Sequence, residues 1–285
     1  MVLSVAANLG PSKKIKTPQT LNAFQEELVR IYLNQIDEIA GVAVSMPGVI
    51  DEASGFALHG GSLRFIRSQS VLELYRSFFG VPVAVQNDAK AALAGEMFCG
   101  NLKTEQSAAM IVLGTGVGGA VMIGRKILSG FHHSAGELSL IKTSTDLETP
   151  DFLAVKNGIE ALLRPFAAAK QISLNETSGE AFFEAIQNDD PDASTILQNF
   201  TDALAAQIWN IQAILDPEKI VIGGGISSQS VLLDYIQRSL NKLTTPLKPL
   251  EELLETVQPN VTLSSLGNNA NLLGAYHHYL NFQSH

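Results

Sequence analysis

Thiols are almost absent from this 285-residue chain, whose only cysteine is Cys99. One thiol can close no internal disulfide and can build no cysteine-rich zinc site. Basic residues are also scarce: 19 Lys and Arg face 28 Asp and Glu, a net charge of −9. Binding to a nucleic acid needs a basic stripe, so that balance argues against such a partner. No apolar run reaches the roughly 18 residues of a membrane span, and no secretory leader pattern opens the sequence. A soluble, cytoplasmic protein with no membrane partner is expected. Hydrophobic residues are abundant, at 46 % of the chain, enough for a substantial core and two domains.

Their arrangement reads as α/β. Gly41–Ser45, Val81–Val85 and Lys219–Ile222 are short apolar runs of the buried-strand type. Leu21, Phe24, Leu28 and Ile31 recur at helical spacing after Thr20, which predicts a helix with a threonine cap. The longest helix is expected from about Asp192 to Leu215, stopped by Asp216-Pro217. Phe182-Phe183 reads as core, and Asn268-Asn269 as the cap of the last helix. The alternation of strands and helices favours a parallel or mixed sheet covered by helices. A domain change fits best near Gly100 to Gln106.

The most informative stretch is Met110 to Ile123, in which two apolar runs flank Gly114-Thr115-Gly116-Val117-Gly118-Gly119. Glycine lets backbone N–H groups approach an anion with no Cβ in the way, so such a loop can cradle phosphates. Gly114, Gly116 and Gly119 also match the dinucleotide spacing G-x-G-x-x-G. That fingerprint needs a helix directly after the glycines. Here a strand follows, so the element is a tight β-hairpin and the dinucleotide match is a coincidence of spacing. An ordinary glycine-rich hairpin with no ligand remains open at this point. A second run, Gly223-Gly224-Gly225, follows a strand and precedes a helix expected near Ser230. By itself it is a close turn; paired with the first loop it suggests a split nucleotide site.

Val85-Gln86-Asn87-Asp88-Ala89 joins a strand to a helix. Asp88 there either caps the helix or, at the carboxyl edge of a sheet, accepts a proton from a substrate hydroxyl. On these residues alone the cap is the plainer reading.

Gly41 to Asp51, Asn87-Asp88-Ala89, Gly114 to Gly119, Gly130 to Glu137, Gly223 to Ser227 and Gly267 to Ala275 occur in one order. Together they resemble the ROK family of bacterial sugar kinases and repressors, over nearly the whole chain from Thr17-Pro18 onward. The resemblance, nearest to a zinc-free glucokinase or β-glucoside kinase, implies an actin-like ATPase (ribonuclease H-like) fold with two α/β domains flanking a cleft. It implies a small sugar-side domain over residues 1–106, joined by the C-terminal helix 268–285, and a larger nucleotide-side domain over 107–267. Asp88 then matches the catalytic base and Asn87 a sugar-binding asparagine. Glu137 matches a glutamate that reaches sugar hydroxyls, while Gly60 and Gly61 after His59 match a glycine pair lining the sugar pocket through backbone contacts. For His59 itself a surface or packing role is expected. Gly114, Thr115, Gly116, Val117, Gly118 and Gly119 correspond to a phosphate loop, with Thr115 near the transferring group, and Gly223, Gly224 and Gly225 to the adenosine-side turn. ATP and Mg²⁺ are the implied cofactors, a sugar 6-hydroxyl the implied acceptor and a homodimer the usual assembly.

Two departures stand out. Many members bind structural zinc through a histidine three residues after the glutamate and a cysteine cluster; here that position is Leu140 and no cysteine follows. Adjacent His132 and His133 cannot replace a set of four ligands, so no structural zinc is expected. Members also begin with a strand and an Asp-Gly-Gly-Thr loop, which occurs nowhere here. Met1 to Gly10 resembles the family's second strand instead, and a missing central strand should leave unpaired backbone in the small domain. That departure keeps a second reading alive: a catalytically impaired sugar-binding sensor of the same family.

Overall fold

The computed structural model describes residues 14–34, 39–245 and 251–282; the Met1–Gly10 stretch therefore lies outside the described residues. Helix α1 (Leu21–Leu33) starts where the Thr20 hydroxyl accepts the Ala23 N–H at 3.3 Å, the expected cap. Phe24, Leu28, Val29 and Tyr32 on α1 pack against a cluster of Met46, Ile50, Tyr75, Phe78, Phe79, Val83 and Val85. Strand β1 (Val42–Met46) lies one residue beyond its sequence expectation, and its parallel partner, β5 (Val83–Asn87), two residues beyond its own. Between them in sequence come the antiparallel strands β2 (Val49–Asp51), β3 (Phe56–His59) and β4 (Arg67–Ser70), then α2 (Val71–Phe78). The Ser70 hydroxyl caps α2 by accepting the Glu73 N–H. Among the described residues β1 is paired along one edge only. Residues 42–47 line a cavity of about 900 Å³ with Phe24, Phe65, Tyr75 and Phe79.

The second half is built on one five-stranded sheet. Strands β6 (Ser107–Leu113), β7 (Val117–Ile123) and β8 (Lys126–Ile127) form an antiparallel meander. Strand β9 (Lys219–Gly223) joins β6 in parallel and β10 (Val261–Leu263) joins β9, giving the order β10-β9-β6-β7-β8. Helices α4 (Leu153–Lys156), α5 (Glu160–Lys170), α6 (Gly179–Gln187), α7 (Pro191–Leu215) and α8 (Val231–Thr244) accompany it, and α9 (Glu251–Thr256) precedes β10. The long α7 opens with Asp190 Oδ1 accepting the Asp192 and Ala193 N–H groups, and it ends at Asp216 with φ 43°. Its Leu197, Phe200, Leu204, Ile208 and Ile211 share a core with Ile111, Leu113, Ile220 and Ile222. Phe182 and Phe183 are buried in that core, as expected.

Helix α3 (Asp88–Cys99) leaves β5 and crosses to the larger sheet, where Leu93 packs with Met110, Ala120, Met122 and Val221. The final helix α10 (Ala270–Phe282) returns to lie on α3, β1 and β5. The 100–106 segment, where a domain change was expected, is tied to the larger sheet: Lys219 Nζ donates to Asn101 O and pairs with Glu105, and Asn101 Nδ2 donates to Leu263 O. Buried Glu96 accepts from the Asn101 N–H and the Ser264 hydroxyl, satisfying a charge that burial would otherwise penalise. Asn268 and Asn269 do not cap α10 with their side chains: a 3₁₀ turn over Gly267–Asn269 leads into the helix, its Asn269 N–H donating to Leu266 O. No helix among the described residues is long and apolar enough to cross a membrane.

Candidate active site

The site begins where β5 ends. Asn87, 7 % exposed, is the cap of α3: its Oδ1 accepts the Ala89 and Lys90 N–H groups, both at 3.0 Å. Its Nδ2 donates to Gly48 O at 2.8 Å, drawing the Pro47-Gly48 turn toward the helix. That turn needs glycine, since Gly48 has φ +111° and a Cβ there would lie 2.0 Å from His59 O. Gly60 and Gly61 follow directly, so Asn87, Gly48 and the glycine pair form one wall. The Gly60 and Gly61 N–H groups are spent internally, on Ile66 O and on His59 Nδ1, and the Gly60 carbonyl accepts the Leu63 N–H; a Cβ on Gly60 would lie 2.7 Å from that of Ile66, so the pair is packed into the turn. Exposed His59 thus holds a turn, in line with the packing role expected for it.

With Asn87 serving as cap, Asp88 is released from that task. Its Oδ1 accepts the Ala89 N–H at 2.8 Å. Burial pushes the carboxyl above the usual aspartate range, the negative charge of Glu137 pushes it the same way, and the Ala89 N–H opposes both. Glu137 is therefore an electrostatic neighbour of Asp88, with its Oε1 accepting the Ser139 hydroxyl at 2.5 Å. The loop that carries Glu137 is fastened by Lys90, 3 % exposed, whose ammonium donates to His133 O at 3.1 Å. The sequence reading passed over Lys90; a cation two residues after the carboxylate in an alanine-rich helix was the available signal.

Facing α3 is the glycine hairpin, β6 and β7, a strand pair as expected and not a strand feeding a helix. Among the described residues the Thr115 and Gly116 N–H groups at its tip find no acceptor, which leaves two adjacent donors for an anion. Gly118 packs against the start of α3: a Cβ there would lie 3.2 Å from that of Ala89. Two residues of the expected phosphate loop serve other ends. The Val117 side chain is buried in the core. Gly119 sits in β7, where a Cβ would lie 2.2 Å from the Leu138 side chain and 2.6 Å from Gly136 O, so its bare face seats the Glu137 segment.

The second glycine run lies against the first. Gly224 has φ +87°, and a Cβ there would lie 2.2 Å from Leu113 O, immediately before Gly114. Gly223 ends β9, opposite Val112. The helix expected near Ser230 begins there: α8 starts at Val231, after a 3₁₀ turn over Gly225–Ser228. Leu113–Thr115 and Gly225–Ile226 then line a pocket of about 390 Å³, with Ile159, Glu180, Phe183 and Asn268 among its other walls. The sequence reading gave Phe183 to the core and Asn268 to a cap and passed over Ile159 and Glu180; separate helices and turns deliver all four to the pocket. Leu140 is 66 % exposed, and among the described residues no group of three or more His, Cys, Asp or Glu could hold a metal ion.

Comparison with known proteins identifies the family and the fold. The model of the ROK family matches residues 7–280. A β-glucoside kinase from Klebsiella pneumoniae is 27% identical over 242 residues, spanning 84% of this chain and 77% of that relative. A glucokinase from Halalkalibacterium halodurans is 27% identical over 265 residues, spanning 83% of this chain and 75% of that relative. Among solved structures, a ROK family glucokinase from Streptomyces griseus in complex with glucose and AMPPNP superimposes with a TM-score of 0.78 at 23% identity. The match covers 92% of this chain and 88% of that one and carries the actin-like ATPase fold.

Proposed function

Because the chain belongs to the ROK family, we propose that it is an ATP-dependent sugar kinase in which Asp88 accepts the proton of a hexose or hexoside hydroxyl, the 6-hydroxyl. The observation that carries this reading is the approach of Gly118 to Ala89, which sets the hairpin with its free amides beside the helix that starts with Asp88. Asp88 orients the hydroxyl and takes its proton; its upward-shifted pKa brings it nearer the operating pH, where a base works best. A positioned base of this kind contributes about 10²–10⁴-fold. Asn87 offers its second amide hydrogen, Glu137 its free carboxylate oxygen, and Gly60 and Gly61 a close backbone floor. The Thr115 and Gly116 amides receive the phosphoryl oxygens, and the Gly223–Gly225 turn lets the nucleotide lie flat.

Mg²⁺ binds through one or two carboxylates plus substrate phosphates and not in an all-protein cage. With Asp88 on the hydroxyl and Glu137 on the sugar, the phosphates at the Thr115 and Gly116 amides would hold it here, and it would neutralise their charge. The division into a sugar side (1–106 with 268–285) and a nucleotide side (107–267) is part of the same proposal, with α3 and α10 spanning the two. A homodimer and a cytoplasmic location belong to it as well.

The test is ADP release across glucose, β-glucosides, mannose and N-acetyl sugars, run on the wild type and on Asp88→Asn. Turnover with one sugar class is expected, and the variant should lose about 10²–10⁴-fold in kcat while that sugar still protects it from heat. Near-normal turnover by Asp88→Asn removes Asp88 from the chemistry. Heat protection by sugar with no ADP release from the wild type replaces the kinase with a sugar sensor.

A further inference from the structure

The loop that delivers Glu137 is held at one residue from two sides. Residues 129–137 form a tongue whose base is closed by the Ala135 N–H, which donates to Ser129 O at 3.0 Å. Gly130 and Gly136, with φ 73° and 79°, turn the chain near either end. Between them His133 also takes the left-handed region, at φ 58°, a conformation uncommon outside glycine that collects at functional sites. From α3, Lys90 Nζ donates to His133 O at 3.1 Å. From the end of β2, Asp51 Oδ1 lies 3.7 Å from His133 Nδ1. Asp51 is itself fixed, its oxygens accepting the Ala53 N–H and the Ser54 hydroxyl. The next residue after His133 passes the hold onward, since Ser134 O accepts the Glu137 N–H at 3.0 Å. Lys90 is the costly member of this set. It is 3 % exposed, and its ammonium makes that one hydrogen bond and no ion pair among the described residues. A buried charge with so little compensation lowers stability, and an apolar side chain of similar size would fill the space without that cost.

We propose that Lys90 is a positioning residue for the acceptor: through His133 it holds the Glu137 carboxylate in place and so sets the affinity for sugar. This rests on the sugar-site half of the reading above, in which Glu137 takes sugar hydroxyls. Lys90 and Asp88 stand two residues apart on α3, so the base and the anchor of the loop move as one body. The second hold on His133 comes from the opposite wall. Asp51 ends the strand that begins just after Gly48, and the Gly48 carbonyl is the one that accepts Asn87 Nδ2. Asparagine, base and glutamate are thereby set relative to one another by three polar contacts: Asn87 with Gly48, Asp51 with His133 and Lys90 with His133. Retaining a buried ammonium where an apolar group would be more stable is the trade expected of a group kept for geometry at a working site. The hydroxyls that Glu137 takes do not react, so their contacts are alike before and in the transition state. A loosened loop therefore raises KM for sugar and spares kcat.

Lys90→Met keeps the length of the side chain and removes the donor. Calorimetric titration with glucose, methyl β-glucoside, mannose and N-acetylglucosamine compares it with the wild type, and steady-state kinetics follow on whichever sugar is phosphorylated. Affinity for the bound sugar should fall about tenfold, the low end of the range for one hydrogen bond to a charged group, while kcat and KM for ATP stay near wild type. Its thermal midpoint by circular dichroism should equal or exceed that of the wild type, the reverse of what a purely structural lysine predicts. A double-mutant cycle with Glu137→Gln locates the path. If Lys90 acts through Glu137, the two losses are not additive, and Lys90→Met changes sugar affinity little once Glu137→Gln is in place. Unchanged sugar affinity in Lys90→Met overturns the proposal, as do additive losses in the cycle. A lowered midpoint with losses spread evenly over sugar affinity, kcat and ATP affinity overturns it too. Sugar phosphorylation with no effect of Lys90→Met sinks this inference and spares the kinase. Sugar binding that Lys90→Met weakens, with no ADP release from the wild type, does the reverse.

Discussion

At the scale of single residues the site works because neighbours divide their labour. Asn87 caps α3, Asp88 shares only the Ala89 N–H with it, and the carboxylate is left half-buried beside Glu137. A charge held in that position costs stability. Since burial and Glu137 raise its pKa, folding favours the protonated form. The resulting penalty is absent below the ordinary aspartate value of 3.8, grows as pH rises toward the shifted value and is constant above it. Asp88→Asn keeps an oxygen for the Ala89 N–H and removes the charge. It should therefore be more stable than the wild type at pH 7 by about 1 kcal/mol, within the range of single stabilising substitutions. Denaturant melts at a series of pH values should show that advantage shrinking on acidification and vanishing near pH 3.8. A variant less stable than wild type at pH 7 would contradict the electrostatic account of this carboxylate.

Among the elements, the contact that positions the site is the crossing of α3 and α10. A Cβ on Gly274 would lie 1.6 Å from Ala91 O, and one on Gly95 would lie 2.1 Å from Ala270 O. The two backbones touch, and α10 in turn rests on β1 and β5. Gly274→Ala must push the helices apart despite the better helix propensity of alanine. We expect a loss of about 1–3 kcal/mol, the range for overpacked cores, read as a lower thermal midpoint. Because α3 carries Asp88, the same variant should lose sugar affinity; unchanged melting and affinity would show that the crossing has slack. Much of this architecture was legible beforehand. The hairpin, the caps by Thr20 and the span of α7 followed from glycine placement, short polar side chains and 3.6-residue spacing. The path of α3 was not, because Ala89 through Glu96 are all buried and present no polar face to orient the helix. A glycine pattern does not say which members are strand and which are tip: Val117, Gly118 and Gly119 lie in β7, whereas Gly114, Thr115 and Gly116 form the tip. Glu180, Asn268 and Ile159 reach the pocket from three separate segments, and only the packed chain brings them together.

In the whole molecule the acceptor wall and the nucleotide loops hang on different sheets. Asn87 and Asp88 leave the β1–β5 pair, whereas Gly114–Gly118 and Gly223–Gly225 belong to the five-stranded sheet. Two spans connect them, α3 crossing outward and α10 returning. A sugar and a nucleotide bound together therefore bridge the same gap from opposite sides, and each should favour the arrangement the other needs. Linkage then demands reciprocity: if nucleotide tightens sugar binding by some factor, sugar must tighten nucleotide binding equally. We expect a factor between about 5 and 150, the common range of coupling between sites. Calorimetric titration of the phosphorylated sugar's parent hexose, with and without a saturating non-hydrolysable ATP analogue, measures one side of the cycle. Titrating the analogue with and without hexose measures the other. The same factor in both directions is the signature of two walls closing on shared ligands, whereas hexose affinity indifferent to nucleotide would mean that the two sheets act as independent binding sites and that α3 and α10 transmit nothing between them.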